Sequence, residues 1–395
     1  MEIFKYEKIP ITIMTIFLSW AGLIILISMY FTIPLTETWM STFNIRETKA
    51  IWIGSIFSLC YALCCLIYGP LSDRFGRKIF LIFGISLLTI ATFICAFIDS
   101  YLYLLIVRIL QAIGAAAFVP ISLVYIADVY PPQKRKRAFG FITSGFLIAS
   151  VVAQLFASVI NIYLGLRWIF IILGILYFIT CILTIYLLPK EPPIKHKNSI
   201  FSNFLNIRNL LFNKQLSISF SFSFILLFAL IGMYTIFEAY LIAPPFHFSE
   251  HQVFLARAVG LIGTVTCVLA GKISDIFGEI KTFRFSLAIA SITLFLMAFT
   301  NNALFTTVFS LFFVASIALI VPINITLISQ RAGEQKGTAL LFNAFILFVG
   351  ASVGPILATK LMQISYSFLA FSTFSTILLL GFFTSFLLKD EKSAP

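Results

Sequence analysis

Long apolar runs separated by short polar breaks dominate this chain. Twelve runs of roughly 18 residues or more are each long enough to cross a bilayer, and in lipid such continuous runs form helices because a helix satisfies its own backbone polar groups. We place the twelve predicted helices near 11–35, 50–70, 79–99, 102–126, 138–161, 167–188, 216–241, 252–272, 283–300, 303–328, 338–360 and 364–387. The pattern predicts an all-α integral membrane protein with twelve transmembrane helices.

The positions of the basic residues predict the orientation, because short cytoplasmic loops carry an excess of Lys and Arg. If the N-terminus is cytoplasmic, 21 of the 27 Lys and Arg residues lie in cytoplasmic segments or at cytoplasmic helix ends, four lie in outer loops or at outer helix ends, and two lie well inside predicted helices. We therefore expect a multi-pass protein with both termini in the cytoplasm.

Composition agrees with the hydropathy pattern, since 61% of the residues are hydrophobic and 11% are charged. The net charge of +12 would suggest a nucleic-acid partner in a soluble protein. Here we attribute the charge to topology and to contact with anionic lipid headgroups, and we expect no nucleic-acid partner. The six cysteines lie inside apolar runs, which is typical of small core residues.

A drop in hydropathy divides the chain into two halves. Residues 189–215 contain Pro189, Pro192, Pro193 and five basic residues, and we interpret them as a cytoplasmic linker. The later part of this linker alternates apolar and polar residues at helical spacing, which favours a short helix in the plane of the membrane over a disordered tether. The predicted domains are a six-helix half over 1–188, the linker over 189–215 and a six-helix half over 216–395.

An internal repeat relates the two halves at an offset of 202 residues. The stretch after the second apolar run, Gly69-Pro-Leu-Ser-Asp73-Arg74-Phe-Gly76-Arg77-Lys78, returns as Gly271-Lys-Ile-Ser-Asp275-Ile-Phe-Gly278. Further along, Ala149-Ser150-Val151 matches Ala351-Ser352-Val353 at the same offset. The second copy carries Glu279 where the first carries Arg77. We predict two related six-helix bundles, as in transporters built from parallel repeats.

The first copy resembles the cytoplasmic loop signature of the major facilitator superfamily, the pattern Gly-x-Leu-x-Asp-Arg-x-Gly-Arg-Lys. The resemblance implies that Asp73 takes part in a latch between the halves that stabilises an outward-open state. The other expected members of this conformational latch are Gly69, Arg74, Gly76, Arg77 and, from the second copy, Asp275. The alternative is that the stretch is a positively charged turn that only sets topology.

A second signature lies in the fourth apolar run, where Arg108 is followed six residues later by Gly114. It resembles a pattern of the drug:proton antiporter branch of the same superfamily, and this resemblance implies a bacterial plasma (inner) membrane. A guanidinium within a membrane helix is costly unless it faces water, a partner or a substrate, so we place Arg108 in a transport cavity. The alternative is that its long side chain extends to the outer surface. Gln111 and Gln154 are expected to add polarity to the cavity.

One family feature is missing. A Gly-Pro-rich signature associated with proton antiport is expected after Gly145, but the chain reads Phe-Leu-Ile-Ala-Ser-Val-Val-Ala-Gln154 there. The symmetry-related eleventh run has Gly350-Ala-Ser-Val-Gly354-Pro355 instead. Small residues at this spacing allow close approach of two helices, and Pro355 can bend the run.

Proton coupling needs a carboxylate in a partly dry cavity, and the acidic residues offer few candidates. Glu238 lies inside the seventh run, and Glu37 lies at the outer end of the first. Arg257 in the eighth run is expected at a depth similar to that of Glu238. The pair is therefore either a structural ion pair or a proton and substrate site.

We find no phosphate-binding loop, no His/Cys metal cluster and no cofactor motif in the sequence, so we expect a transporter rather than an enzyme. The leading hypothesis is a monomeric secondary transporter that exports a small organic molecule by alternating access, with the proton as coupling ion. Its cargo is a drug-like amphiphile or a metabolite such as a siderophore, and the two arginines within helices favour an anionic or zwitterionic group. The alternatives are a proton-coupled importer of a nutrient or organic anion and, more remotely, a membrane sensor without transport.

Overall fold

The computed structural model describes residues 10–190, 208–364 and 367–389, except for the side chains of Glu47, Pro70, Asp73, Glu250 and His251. Within these ranges the regular structure is helical, and twelve helical segments are long and apolar enough to cross a membrane. The all-α, twelve-span prediction is confirmed. We number the segments span 1 to span 12.

The first six spans have the following helices: Ile11–Tyr30 and Thr36–Phe43 in span 1, Glu47–Phe75 in span 2, Arg77–Cys95 in span 3, Tyr101–Ala116 and Val119–Val129 in span 4, Pro132–Tyr163 in span 5, and Leu166–Leu187 in span 6. The last six have Lys214–Ile242 in span 7, Glu250–Ile262 and Thr266–Phe277 in span 8, Glu279–Phe299 in span 9, Ala303–Arg331 in span 10, Lys336–Ile364 in span 11, and Ser367–Thr384 in span 12.

The spans form two compact units. Unit 1 is drawn from Met1–Pro132, Gly145–Leu205 and Leu340–Phe342, and unit 2 from Gln133–Ser144, Asn206–Ala339 and Asn343–Pro395. The start of span 5 therefore packs with unit 2 and the rest of span 5 belongs to unit 1. Most of the predicted linker lies outside the described residues. In its described part, residues 208–212 are helical. The boundaries predicted for the two halves stay a prediction.

The same pairs of spans pack together in each unit. In unit 1, span 3 packs against spans 4 and 6, span 2 against span 4, and span 1 against span 6. In unit 2, span 9 packs against spans 10 and 12, span 8 against span 10, and span 7 against span 12. Each pairing in unit 2 involves the spans six places later in the chain, which is what a duplicated bundle requires.

The repeated sequence motif adopts the same local structure twice. Gly76 and Gly278 have φ/ψ values of 92°/139° and 88°/145°, a region that glycine enters readily because it has no Cβ. Before each glycine, a serine hydroxyl donates to the carbonyl three residues earlier, Ser72 to Gly69 and Ser274 to Gly271, at 3.0 Å in both cases. Each glycine alone separates two consecutive spans.

Several helix ends differ from the predicted ones. The residues from Gly69 to Arg74 lie in the last turns of the helix Glu47–Phe75 rather than in a loop, because only Gly76 breaks the helical backbone. Span 5 begins at Pro132, so the basic run Lys134–Arg137 is helical rather than a turn. A proline in the first helical turn is compatible with this early start, since its missing N–H would have no helical partner.

Close helix contacts occur at the small residues of span 11, as the sequence predicts. A Cβ placed on Gly350 or Gly354 would lie 2.3 Å from the carbonyl oxygen of Phe224 or Phe228, both in span 7. No side chain larger than hydrogen fits at that distance. Pro355 follows in the same helix, which continues through it to Ile364.

Candidate functional site

Arg108 lies at the centre of a buried polar cluster in unit 1. Its guanidinium donates to the backbone carbonyls of Ser28 in span 1 and Ile53 in span 2, at 3.0 and 3.1 Å. It also donates to Oε1 of Gln111, one turn further along span 4, at 2.9 Å. The three bonds tie together spans 1, 2 and 4.

Further polar and aromatic groups surround this guanidinium. Phe31 and Phe57 place their rings 5.1 and 4.4 Å from its central carbon, which is cation–π geometry. Gln111 passes the network on by donating to the Thr92 hydroxyl at 2.8 Å. The hydroxyls of Ser28 and Tyr177 are hydrogen-bonded to each other. We did not predict the roles of Ser28, Thr92 and Tyr177, since they lie on different spans from Arg108.

Arg108 is 0% exposed in this conformation. Its side chain is therefore packed inside the unit and does not extend to the surface. Among the described residues no carboxylate forms an ion pair with it, so carbonyl and amide oxygens and aromatic faces accommodate its charge. A buried charge without a counter-ion is costly, which makes Arg108 a candidate functional residue.

Glu238 and Arg257 meet in unit 2. Arg257 of span 8 donates from Nη1 to Oε2 of Glu238 in span 7 at 3.0 Å. The glutamate side chain is 47% exposed and the arginine 19%. The structure brings the two residues together in an ion pair, and the carboxylate remains accessible beside it.

The Arg257 side chain has unused hydrogen-bonding capacity. Among the described residues, its buried Nε has no hydrogen-bond partner, and neither has the buried hydroxyl of Tyr234. The Tyr234 ring lies 5.0 Å from the guanidinium carbon. Gly260 leaves room for this hydroxyl, because a Cβ there would lie 2.8 Å from it. The cluster thus combines an accessible carboxylate, a cation with a free donor and a free hydroxyl.

A second buried polar cluster in unit 2 joins spans 7, 10 and 11. Asn324 donates from Nδ2 to the Ser219 carbonyl at 3.0 Å and to the Ser223 hydroxyl at 2.7 Å. Ser223 in turn is hydrogen-bonded to Oδ1 of Asn343. The buried Oδ1 atom of Asn324 has no hydrogen-bond partner in the part of the chain that the structure describes. Asn324 and Asn343 are both packed inside the unit.

The first copy of the repeated motif places Arg77 inward. Arg77 is 3% exposed, and its Nε lies 3.3 Å from Oδ2 of Asp128 near the end of span 4. It also donates to the Ser72 hydroxyl. Arg74 is exposed and lies over the ring of Phe75. The side chain of Asp73 is outside the described parts of the structure, so its predicted latch role remains a prediction.

The second copy has the opposite arrangement of charges. Lys136, near the start of span 5, lies 2.5 Å from Oε1 of Glu279 and 3.1 Å from Oδ1 of Asp275. Glu279 occupies the position that Arg77 has in the first copy. The structure thus gives Asp275 a cationic partner, which we did not predict because Lys136 is far away in the sequence and is one of four consecutive basic residues.

The two remaining candidates lie apart from these clusters. Glu37 is exposed in the first turn of the short helix Thr36–Phe43. Gln154 is half-buried in span 5 and donates to the Ser150 carbonyl at 2.7 Å. Neither is drawn into the Arg108 or the Glu238 cluster by a hydrogen bond or an ion pair of the described residues.

Comparisons with known proteins show which family the chain as a whole resembles. The family model for the Major Facilitator Superfamily matches residues 18–355, with a further match over 241–395. Multidrug resistance protein 1 of Bacillus subtilis is 25% identical over 342 residues, which cover 85% of this chain and 86% of that protein.

Two solved structures share the fold. The human organic anion transporter MFSD10 has a TM-score of 0.78 at 17% identity, over 94% of this chain and 98% of that one. The E. coli fucose:proton symporter has a TM-score of 0.75 at 13% identity, over 95% of this chain and 98% of that one.

Proposed function

Because this chain belongs to the major facilitator superfamily, a family of membrane transporters and not of enzymes, we propose that it exports small organic molecules in exchange for protons. The observation that carries the proposal is the accessible Glu238 carboxylate beside Arg257. The similarity to a multidrug resistance protein supports export of drug-like amphiphiles. A self-made metabolite such as a siderophore is the other cargo class that we propose.

The Glu238 carboxylate offers a simple basis for exchange. A proton neutralises the carboxylate, and a cationic group of a substrate pairs with it, so the two compete for one site. Binding of either one then releases the other, which is the requirement for antiport. In this conformation Arg257 is the partner that a proton or a substrate would replace.

A second candidate function is proton-coupled uptake of an organic anion, and the free Nε of Arg257 favours it. An anionic group of the substrate would compete with Glu238 for Arg257, whereas a cationic group would compete with the proton for Glu238. The displaced Glu238 carboxylate would then take up a proton, and the substrate and the proton would cross the membrane in the same direction. The charge of the substrate thus separates antiport from symport at the same two residues.

We propose the repeated motif as the conformational latch of the transport cycle. The ion pairs of Lys136 with Asp275 and Glu279 support this role at the second copy, and the signature around Asp73 supports it at the first. We also propose that both termini lie in the cytoplasm, on the basis of the distribution of Lys and Arg. The similarity to a Bacillus subtilis protein supports a bacterial plasma (inner) membrane, and we propose a monomer.

The test begins with everted membrane vesicles whose lumen is acidified by respiration. If the protein is an antiporter, an amphiphilic cation accumulates in vesicles that contain it, and addition of the cation releases lumenal protons. Metabolite profiles of cells and medium with and without the protein supply natural cargo for the same assay. Release of anions from the vesicle lumen together with protons, measured as acidification of the external medium, would favour the second candidate and contradict antiport.

A further inference from the structure

A large groove opens on unit 2 between spans 8, 9 and 10. Its volume is about 660 Å³, and it is lined mainly by aromatic and aliphatic side chains. Phe277, Phe285 and Phe312 in its walls are all more than half exposed on the outer face of their helices. The Glu238 and Arg108 clusters contribute none of the lining residues, so the groove is separate from the proposed transport site.

The lining residues follow the helical period. Span 9 contributes Lys281, Phe285 and Ile289, which are four residues apart and so share one face of the helix. At 1.5 Å per residue, Lys281 and Ile289 are about 12 Å apart along the helix axis. Half of a hydrocarbon core of ~30 Å is about 15 Å, so the groove runs through most of one leaflet.

One end of the groove is charged. Lys281 lies in the first turn of span 9, close to the turn at Gly278 that ends span 8, and therefore at the membrane surface. Its side chain is exposed and has no hydrogen-bond or ion-pair partner among the described residues. The next cation of span 9, Arg284, is already bonded to the carbonyls of Ser385 and Leu388. Lys281 is thus available to an external anion.

The interior of the groove also has an unused polar group. Ser286 lines the groove, and its hydroxyl makes no hydrogen bond to the part of the chain that the structure describes. The Thr266 hydroxyl donates to the carbonyls of Gly263 and Ala315, and the Thr282 hydroxyl donates to that of Gly278. The groove therefore combines apolar walls with the Lys281 cation at the membrane surface and the Ser286 hydroxyl about one turn deeper.

We propose that this groove binds an anionic phospholipid of the adjacent leaflet. The phosphate pairs with Lys281, and one acyl chain lies along Phe285, Ile289 and Phe312. The charge at the surface end of the groove matches the lipid headgroup. The apolar walls, which run through most of one leaflet, match an acyl chain. This inference depends on neither the direction of transport nor the coupling ion.

The test is native mass spectrometry of the purified full-length protein titrated with phosphatidylglycerol and with phosphatidylcholine of identical acyl chains. A lysine near a membrane surface contributes about 1 kcal/mol toward anionic lipid, or roughly fivefold in affinity. We expect the wild type to prefer phosphatidylglycerol by about that factor. Lys281→Gln should abolish the preference and leave the binding of phosphatidylcholine unchanged.

Lys272→Gln is the matched control, because Lys272 is an exposed lysine of span 8 outside the groove. It should keep the preference. Ile289→Trp, which fills the deep end, should weaken the binding of both lipids to a similar extent while the protein remains monodisperse. Equal binding of the two lipids by the wild type, or equal losses in the Lys281 and Lys272 variants, would overturn the assignment.

Discussion

Lys136 in span 5 lies 2.5 Å from Glu279, the first residue of span 9. Glu279 is favoured at this position because a helix N-terminus attracts negative charge. The equivalent residue of the first copy, Arg77, is a cation that pairs with Asp128. The two copies of the motif therefore both use a charged residue after the glycine, but with opposite sign.

This arrangement predicts that Lys136→Glu slows transport, since it places a third carboxylate beside Glu279 and Asp275. Partly exposed ion pairs contribute up to about 1 kcal/mol, so we expect a change of about fivefold in the initial rate of efflux. Adding Glu279→Lys restores an ion pair and should restore most of the rate. A double variant that is as slow as the single one would contradict a role for this contact.

The first copy predicts a defect in Asp73→Asn. If Asp73 stabilises one state of the transport cycle through its charge, the variant should transport several times more slowly because the neutral amide retains only hydrogen bonding. Membrane insertion, measured by fluorescence of a fused reporter, should stay at the wild-type level. A normal rate of flux at normal insertion would leave the motif as a turn that sets topology.

Glu238→Gln separates coupling from binding. The amide cannot release a proton, so flux driven by a pH gradient should fall at least tenfold, while exchange of labelled against unlabelled substrate should persist. Glu334→Gln serves as the control, because Glu334 is exposed in a short turn before span 11. Undiminished gradient-driven flux in Glu238→Gln would identify the residue as a structural partner of Arg257.

Arg108→Lys tests the buried cluster of unit 1. A lysine keeps the charge but cannot reach acceptors on spans 1, 2 and 4 together, so at least one hydrogen bond to a charged donor is lost. Such bonds contribute about 1.5–3 kcal/mol each, and we expect the midpoint of thermal unfolding in detergent to fall by roughly 2–4 °C. The exposed Arg46→Lys variant should unfold at the wild-type temperature.

Gly354→Ala tests the contact of span 11 with span 7. The new Cβ would lie 2.3 Å from the Phe228 carbonyl oxygen, so one helix has to shift, at a cost of about 1–3 kcal/mol. Gly381→Ala is the matched control, since a Cβ there meets its nearest neighbour at 3.6 Å. The first variant should lower the unfolding midpoint and the second should not. Equal midpoints would show that span 11 can move away at little cost.

The sequence predicts the fold well because the pattern that decides it is local. Each span is an apolar run bounded by polar residues, and the glycines of the repeated motif mark turns by their own conformational preference. Helix ends are less predictable, as in span 2, where apolar and small residues continue the helix to Phe75 despite the charges of the motif. A polar stretch in a membrane protein is not necessarily a loop.

The site depends on contacts that the sequence does not encode locally. Arg257 and Glu238 were paired correctly because neighbouring spans and similar depth suffice for that inference. The carbonyls of Ser28 and Ile53 around Arg108 could not be predicted, since every residue has a carbonyl and only tertiary packing selects which ones are free to accept. The partner of Asp275 was hidden for a similar reason, because any of four consecutive cations could supply it.

The single glycines at positions 76 and 278 also have a mechanical consequence. Each glycine is the single residue between two helices, so no flexible loop separates span 2 from span 3 or span 8 from span 9. Movement of one helix of such a pair therefore moves the adjoining helix with it. Bending is more readily accommodated where helices are interrupted, between Ala116 and Val119 in span 4 and over Gly263–Val265 in span 8.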